Sequence, residues 1–215
     1  RPILTHLVGR TYNTDPNSLM SISLAIELLH NFTLIHDDIM DKDTIRHSQK
    51  TIHHKWDTST AILAGDGIYT IAQLVLNSID RYDKEINKCF NEVTLDICEG
   101  QALDKEFENL ENVTEDLYFE MIKKKTGSLI AAATMLPSIY AEDDIENTEL
   151  FRTFGESLGR GFQIHDDLLE ITSDSKIMGK SLDSDIFEGK QTIMVIKAKQ
   201  YFKESWDSIV LNSKK

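Results

Sequence analysis

Between Leu19 and Ile39 the apolar residues fall at Leu19, Ile22, Ala25, Ile26, Leu29, Phe32, Ile35 and Ile39. That i, i+3, i+4 spacing is the pattern of a long helix with one buried face. Asp15-Pro16 supplies a start, because aspartate accepts backbone N–H bonds at an N-cap and proline in the first turn gives up no bond. A helix over about 17–40 is predicted, and the same reasoning predicts helices near 60–79, 84–108, 114–125, 128–141, 146–170 and 191–204. Ten Gly and three Pro in 215 residues are about half the usual combined share, so few breaks interrupt these helices. The predicted fold class is all-α. No composition shift marks a boundary, so one domain over 1–215 is expected. Residues 43–56, polar and His-rich, and 172–189, rich in Ser, Asp, Gly and Lys, resist the helical reading.

Twenty-three Lys+Arg against 36 Asp+Glu leave a net charge of −13, which excludes a nucleic-acid partner. No apolar run approaches the ~18 residues of a membrane span, so no transmembrane segment is expected. Cys89 and Cys98 lie in a stretch of helical period without metal-ligand spacing, which predicts reduced thiols and a cytoplasmic compartment. The chain opens on Arg1-Pro2 without Met or a signal pattern, so a natural N-terminus further upstream is expected.

Residues 35–41 read Ile-His-Asp-Asp-Ile-Met-Asp and residues 164–170 read Ile-His-Asp-Asp-Leu-Leu-Glu. One acidic cluster in a chain with 36 acids is weak; two sharing their flanks, each ending a long amphipathic helix, are not. Asp37 and Asp41 are i, i+4 and project from one helix face, as do Asp166 and Glu170, while Asp38 and Asp167 lie three residues before the last acid. Such carboxylates repel, and at a helix C-terminus the macrodipole disfavours them, so a cation is expected to offset them. Hard oxygen donors point to Mg²⁺ shared with substrate phosphates. Arg46, Lys125, Lys180 and Lys190 follow the clusters or end a helix, where phosphate oxygens would need them.

With these pieces in order, the sequence resembles the short-chain trans-polyprenyl diphosphate synthases, in particular the archaeal type of geranylgeranyl diphosphate synthase. The motifs that carry the resemblance run along nearly the whole chain: Arg1-Pro2, His30, LIHDDIMD (34–41) with Arg46, AGD (64–66), EGQALD (99–104), Lys125-Thr126, FQIHDDLLE (162–170), GK (179–180) and DIFEGKQT (185–192). The resemblance implies an isoprenoid synthase helical bundle around a central cavity, usually a homodimer, joining an allylic diphosphate to isopentenyl diphosphate. It implies that Asp37, Asp41 and Asp166 hold Mg²⁺ with Asp38, Asp167 and Glu170 in support, Asp167 and Glu170 as further metal ligands. By the same resemblance Arg46, Lys125, Lys180 and Lys190 neutralise the allylic diphosphate, Thr126 and Gln163 stand near the allylic cation, and Arg1 and His30 contact isopentenyl diphosphate. Phe32, five residues before Asp37, would floor the cavity and set product length, with twenty carbons expected and the fifteen of farnesyl diphosphate as runner-up.

Four departures stand out. His47 replaces the family's second arginine after the first cluster, exchanging a fixed charge for one that titrates near neutrality. Glu170 replaces an Asp. The family's upstream GGK segment and its last helices fall outside these 215 residues, so the ends of the family domain are expected to be missing. Two other classes fit part of the pattern. A non-catalytic prenyl-synthase-like subunit is disfavoured by the intact clusters, and a class I terpene cyclase by His30 and Arg1.

Overall fold

The computed structural model describes residues 1–79, 84–172 and 189–206. Helices dominate: α1 (Pro2–Thr11), α2 (Pro16–Met40), the short α3 (Ile52–Lys55), α4 (Thr58–Leu76), α5 (Lys84–Phe107), α6 (Glu115–Ile122), α7 (Ser128–Tyr140), α8 (Ile145–Thr172) and α9 (Ile193–Tyr201). A π-helical turn, Lys123–Gly127, joins α6 to α7. The all-α expectation holds, with one local exception inside 43–56: β1 (Ile45–Arg46) pairs antiparallel with β2 (Gln49–Lys50). The central residues of that hairpin, His47 and Ser48, have φ of 49° and 60°, the left-handed pair that a two-residue hairpin requires. Asn-Gly is the usual signal for such a turn; His-Ser carries none, so the hairpin was not legible.

Asp15 caps α2 as read, its Oδ2 accepting from the Ser18 N–H at 2.9 Å. Leu19, Ile22, Ala25, Ile26 and Leu29 are at most 1% exposed, and the last four form the main core with residues of α4, α5 and α7. From Phe32 to Asp37 the same helix is only half buried, so its apolar stripe leaves the core two turns before the acids. A second core gathers Phe107, Val113, Tyr118, Met121, Ile122, Ile193 and Ile196 at the junction of α5, α6 and α9.

By length and composition both α2 and α4 could cross a membrane, which corrects the expectation that no run was long enough. Ser, Thr and Gly interrupt the apolar runs without lowering the average hydropathy enough to matter. In α2 the apolar face is packed inside the bundle, whereas α4 leaves Leu63, Ile71 and Leu74 exposed.

Candidate active site

The first acidic cluster closes α2, and each of its carboxylates meets a basic side chain. Arg46, carried by the hairpin, places Nε 2.5 Å from Asp38 Oδ1, with its Nη2 3.3 Å from Asp43 and 3.9 Å from Asp37. Burial alone would lower the Arg46 pKa, but Asp38, Asp37 and Asp43 together hold it above the usual value. Asp38 is itself buried, and burial pushes its carboxyl up despite Arg46. Asp41, 5% exposed, accepts from Lys190 Nζ at 2.8 Å and from Lys105 Nζ at 3.2 Å. Burial would raise its pKa, yet the ammonium groups of Lys190, Lys125 and Lys105 outweigh that and hold it below the ordinary carboxylate range.

Lys125 reaches the cluster from the π-turn, with Nζ 2.6 Å from Asp104 Oδ2 and 3.4 Å from Asp37 Oδ1. Burial opposes its charge, but Asp37 and Asp104 more than restore it. The π-turn gives Lys125 this reach: such single-turn bulges redirect side chains at functional sites. Gly100 on α5 makes room for it, because a Cβ there would stand 2.3 Å from the Lys125 backbone N.

The next residue, Thr126, turns to the other long helix, donating to Gln163 Oε1 at 2.8 Å. Gln163 Nε2 in turn donates to Asp167 Oδ1 at 3.0 Å. Asp167 Oδ2 accepts from the Tyr118 hydroxyl at 2.7 Å and from the Ile193 N–H at 3.0 Å. Burial, then the Asp167 carboxylate, pushes the Tyr118 phenol far above its usual pKa, so it remains a donor. Asp166 is exposed and Glu170 half-buried. Two short segments thus join the two clusters: Lys125-Thr126 from one side, and Lys190 with Ile193, three residues later, from the other.

Further up α2, the Arg1 guanidinium donates to His30 Nε2. Burial, reinforced by Arg1, pushes the His30 pKa down to about 4, so near neutral pH the ring is an uncharged acceptor. Phe32 faces His36 and Tyr69, with ring centroids 4.8 and 5.2 Å apart. Tyr69 is tied through its hydroxyl to Asn91 and Gln73 at 3.0 and 2.9 Å.

Residues 1–214 match the polyprenyl synthetase family profile. The chain belongs to that family. It is 40% identical over 201 residues to the geranylgeranyl diphosphate synthase of Methanosarcina mazei, a match covering 92% of this chain and 62% of that protein. The chain therefore spans less than two thirds of that relative's length. Among solved structures it resembles the geranylgeranyl pyrophosphate synthetase of Geoglobus acetivorans, with a TM-score of 0.83 and 40% identity over 93% of this chain and 63% of that one. It also resembles a Caulobacter crescentus polyprenyl synthase complexed with calcium and isoprenyl diphosphate, with a TM-score of 0.89 and 26% identity over all of this chain and 66% of that one. The helical bundle is thus the family's isoprenoid synthase fold.

Against the family's motifs, Asp37, Asp38, Asp41, Arg46, Lys125, Thr126, Gln163, Asp167 and Lys190 stand in one connected set, and Arg1 meets His30. Lys180 lies outside the described residues. His47 is exposed at the hairpin tip, turned through a left-handed backbone. In the sequence Asp104 stands only as the last letter of EGQALD, and Lys105 and Tyr118 carry no assigned role. Asp104 and Lys105 were discoverable, since they close α5 at the end of EGQALD; Tyr118 gave no signal beyond a core aromatic.

Among the described residues, no group of three or more His, Cys, Asp or Glu side chains converges into a ready-made metal cage. The donor set nevertheless suits Mg²⁺. It is all carboxylate oxygen, and Asp37 Oδ1 is buried without a hydrogen bond. A site that shares its metal with phosphate oxygens needs only one or two carboxylates per ion.

Proposed function

We propose that the protein is a trans-prenyltransferase that condenses allylic diphosphates with isopentenyl diphosphate to make geranylgeranyl diphosphate. What supports the reading most is the double junction between the clusters, in which Lys125 and Lys190 face Asp37 and Asp41 while Thr126 and Ile193 reach Gln163 and Asp167. Asp37, Asp41 and Asp166 would hold Mg²⁺, with Asp38 and Glu170 in support; bound there, the metal would supply positive charge to a departing pyrophosphate. Arg46, Lys125, Lys190 and Lys180 bind and orient the allylic diphosphate. As its C–O bond breaks, the electron pair leaves with pyrophosphate. The Thr126 hydroxyl oxygen and the Gln163 carbonyl oxygen turn fixed negative dipole ends toward the allylic carbon, where they stabilise charge without reorganising. The double bond of isopentenyl diphosphate, whose phosphates Arg1, His30 and His47 bind, attacks that carbon, and loss of a proton completes the longer product. Phe32, braced by Tyr69, limits the tail.

We also place the protein in the cytoplasm as a homodimer. Supporting the dimer, Leu63, Ile71 and Leu74 lie exposed along one side of α4, with Leu95 exposed on α5. A second copy covering them would remove an apolar patch that a lone chain leaves in water. Sedimentation should give twice the chain mass, reduced to one in Leu74→Glu.

The deciding experiment incubates labelled isopentenyl diphosphate with dimethylallyl, geranyl or farnesyl diphosphate, with Mg²⁺ and with excess chelator. Metal-dependent elongation ending at geranylgeranyl diphosphate is expected, with longer products in Phe32→Ala. Elongation that survives chelation would refute the reading.

A further inference from the structure

An amide side chain has two ends of nearly equal size and opposite polarity, and which end faces a reacting centre decides whether it helps or hinders a cation. Gln163 sits between two groups that treat its ends differently. On one side is Asp167, which when ionised can only accept hydrogen bonds; on the other is the Thr126 hydroxyl, which can donate or accept. The carboxylate therefore decides. It takes the NH2 at 3.0 Å, and Oε1 is left facing Thr126 at 2.8 Å.

Asp167 is well placed to impose this. Only 4% exposed, beside Tyr118 at 1%, it is gripped by donors from two other elements: the Tyr118 hydroxyl on α6 at 2.7 Å and the Ile193 N–H at the start of α9 at 3.0 Å, both on Oδ2. Oδ1 is then left for Gln163, four residues earlier and one turn away on α8. Asp166, its neighbour, is exposed instead.

We propose that Asp167, clamped by Tyr118 and the Ile193 N–H, is a positioning residue that fixes which end of the Gln163 amide faces Thr126 and the reacting carbon. The proposal rests on the reading of Gln163 as a dipole beside the allylic cation. It gives the second acid of the second cluster a different task from the first: Asp167 acts through Gln163, and Tyr118 acts through Asp167.

Asp167→Asn tests it. The new amide can still accept from Tyr118 and Ile193, but it turns an NH2 toward Gln163, which must answer with Oε1 and swing its own NH2 toward Thr126. The side-chain amide resonance of Gln163, assigned by its disappearance in Gln163→Leu, should shift in Asp167→Asn and less in Tyr118→Phe. Turnover should fall about a hundredfold in Asp167→Asn, the scale of losing one fixed dipole. The Mg²⁺ half-saturation point and the KM for allylic diphosphate should stay within about twofold. Asp167→Asn added to Gln163→Leu should cost nothing more, because residues acting through one group do not add. An unmoved Gln163 resonance, a large rise in the Mg²⁺ requirement, or multiplicative losses in the double variant would each overturn the proposal. If the resonance shifts while Gln163→Leu keeps full turnover, the clamp stands and the dipole reading is what fails. Tyr118→Phe keeps the packed ring, so it reports on the clamp even where Asp167→Asn folds poorly.

Discussion

Gly100→Ala should damage the site through the backbone alone. A Cβ at Gly100 would lie 2.3 Å from Lys125 N, 2.7 Å from Lys125 Cα and 2.9 Å from Lys124 C. All three are backbone atoms, so no side chain can swing aside. Restoring ordinary contact means moving the π-turn or α5 by about 1 Å, and overpacking of this kind costs about 1–3 kcal/mol. Alanine returns about 0.5–1 kcal/mol of helix preference, leaving a net loss of up to about 2.5 kcal/mol, or up to about 10 °C in Tm for a chain of this size. The same shift carries Lys125 away from Asp104 and Asp37, now 2.6 and 3.4 Å distant. A 1 Å misplacement of a positioning group can cost about a hundredfold in kcat/KM. Gly161→Ala on α8 is the control, since nothing lies within 4 Å of its added Cβ and a gain of about 0.5–1 kcal/mol is expected. Thermal unfolding and steady-state elongation read both effects. If Gly100→Ala is as stable as Gly161→Ala and turns over within twofold of the parent, the close approach does not seat Lys125.

Three further outcomes follow from the same geometry. His30 has its pKa lowered from 6.5 to about 4, so the unfolded chain binds the extra proton and stability falls as pH drops from 6.5 toward 4; the full shift would correspond to about 3 kcal/mol, and solvent screening at this partly open site reduces it to about 1–2. Denaturant melts at pH 7 and pH 4 should show that share missing in His30→Asn, and equal pH slopes would refute it. Burial pushes the Cys89 thiol up to about 12 while Cys98 is exposed, so a thiol reagent should label Cys98 first and reach Cys89 only on unfolding, as peptide mass mapping would read. Asp15→Ala removes the bond to the Ser18 N–H and should cost about 0.5–2 kcal/mol in a denaturant melt with elongation unchanged.

The long helices were legible because their period and caps are written locally. The reading of 17–40 meets α2 at Pro16–Met40, 84–108 meets α5 at Lys84–Phe107, and 146–170 meets α8 at Ile145–Thr172. The short α1 was missed: Pro2–Thr11 packs against α2 and α7, and its stripe is broken by His6, Gly9 and Arg10. The basic residues of the site were readable as a set from the net charge of −13, which makes each cation beside an acidic cluster informative. Their pairings were not readable, because Lys190 meets Asp41 and Tyr118 meets Asp167 only through tertiary structure. The π-turn was the hardest to see. It changes the period by a single residue, and no composition marks that.

That extra residue has a consequence for the whole rod from Glu115 to Tyr140. In an unbroken α-helix Ile122 and Leu129, seven residues apart, would look the same way; one residue inserted between them turns the later half by about 100°. Ile122 therefore serves the core around Phe107 and Ile196, and Leu129 serves the one around Ile26 and Phe90. The π-turn works as a phase shifter, letting one continuous helix mesh with two interiors that point in different directions. For the packing of the two interiors, what this segment must conserve is its length, while the site holds Lys125 and Thr126 to their identities. Many substitutions across 123–127 leave both meshes engaged, whereas deleting one residue would put every side chain beyond it out of register.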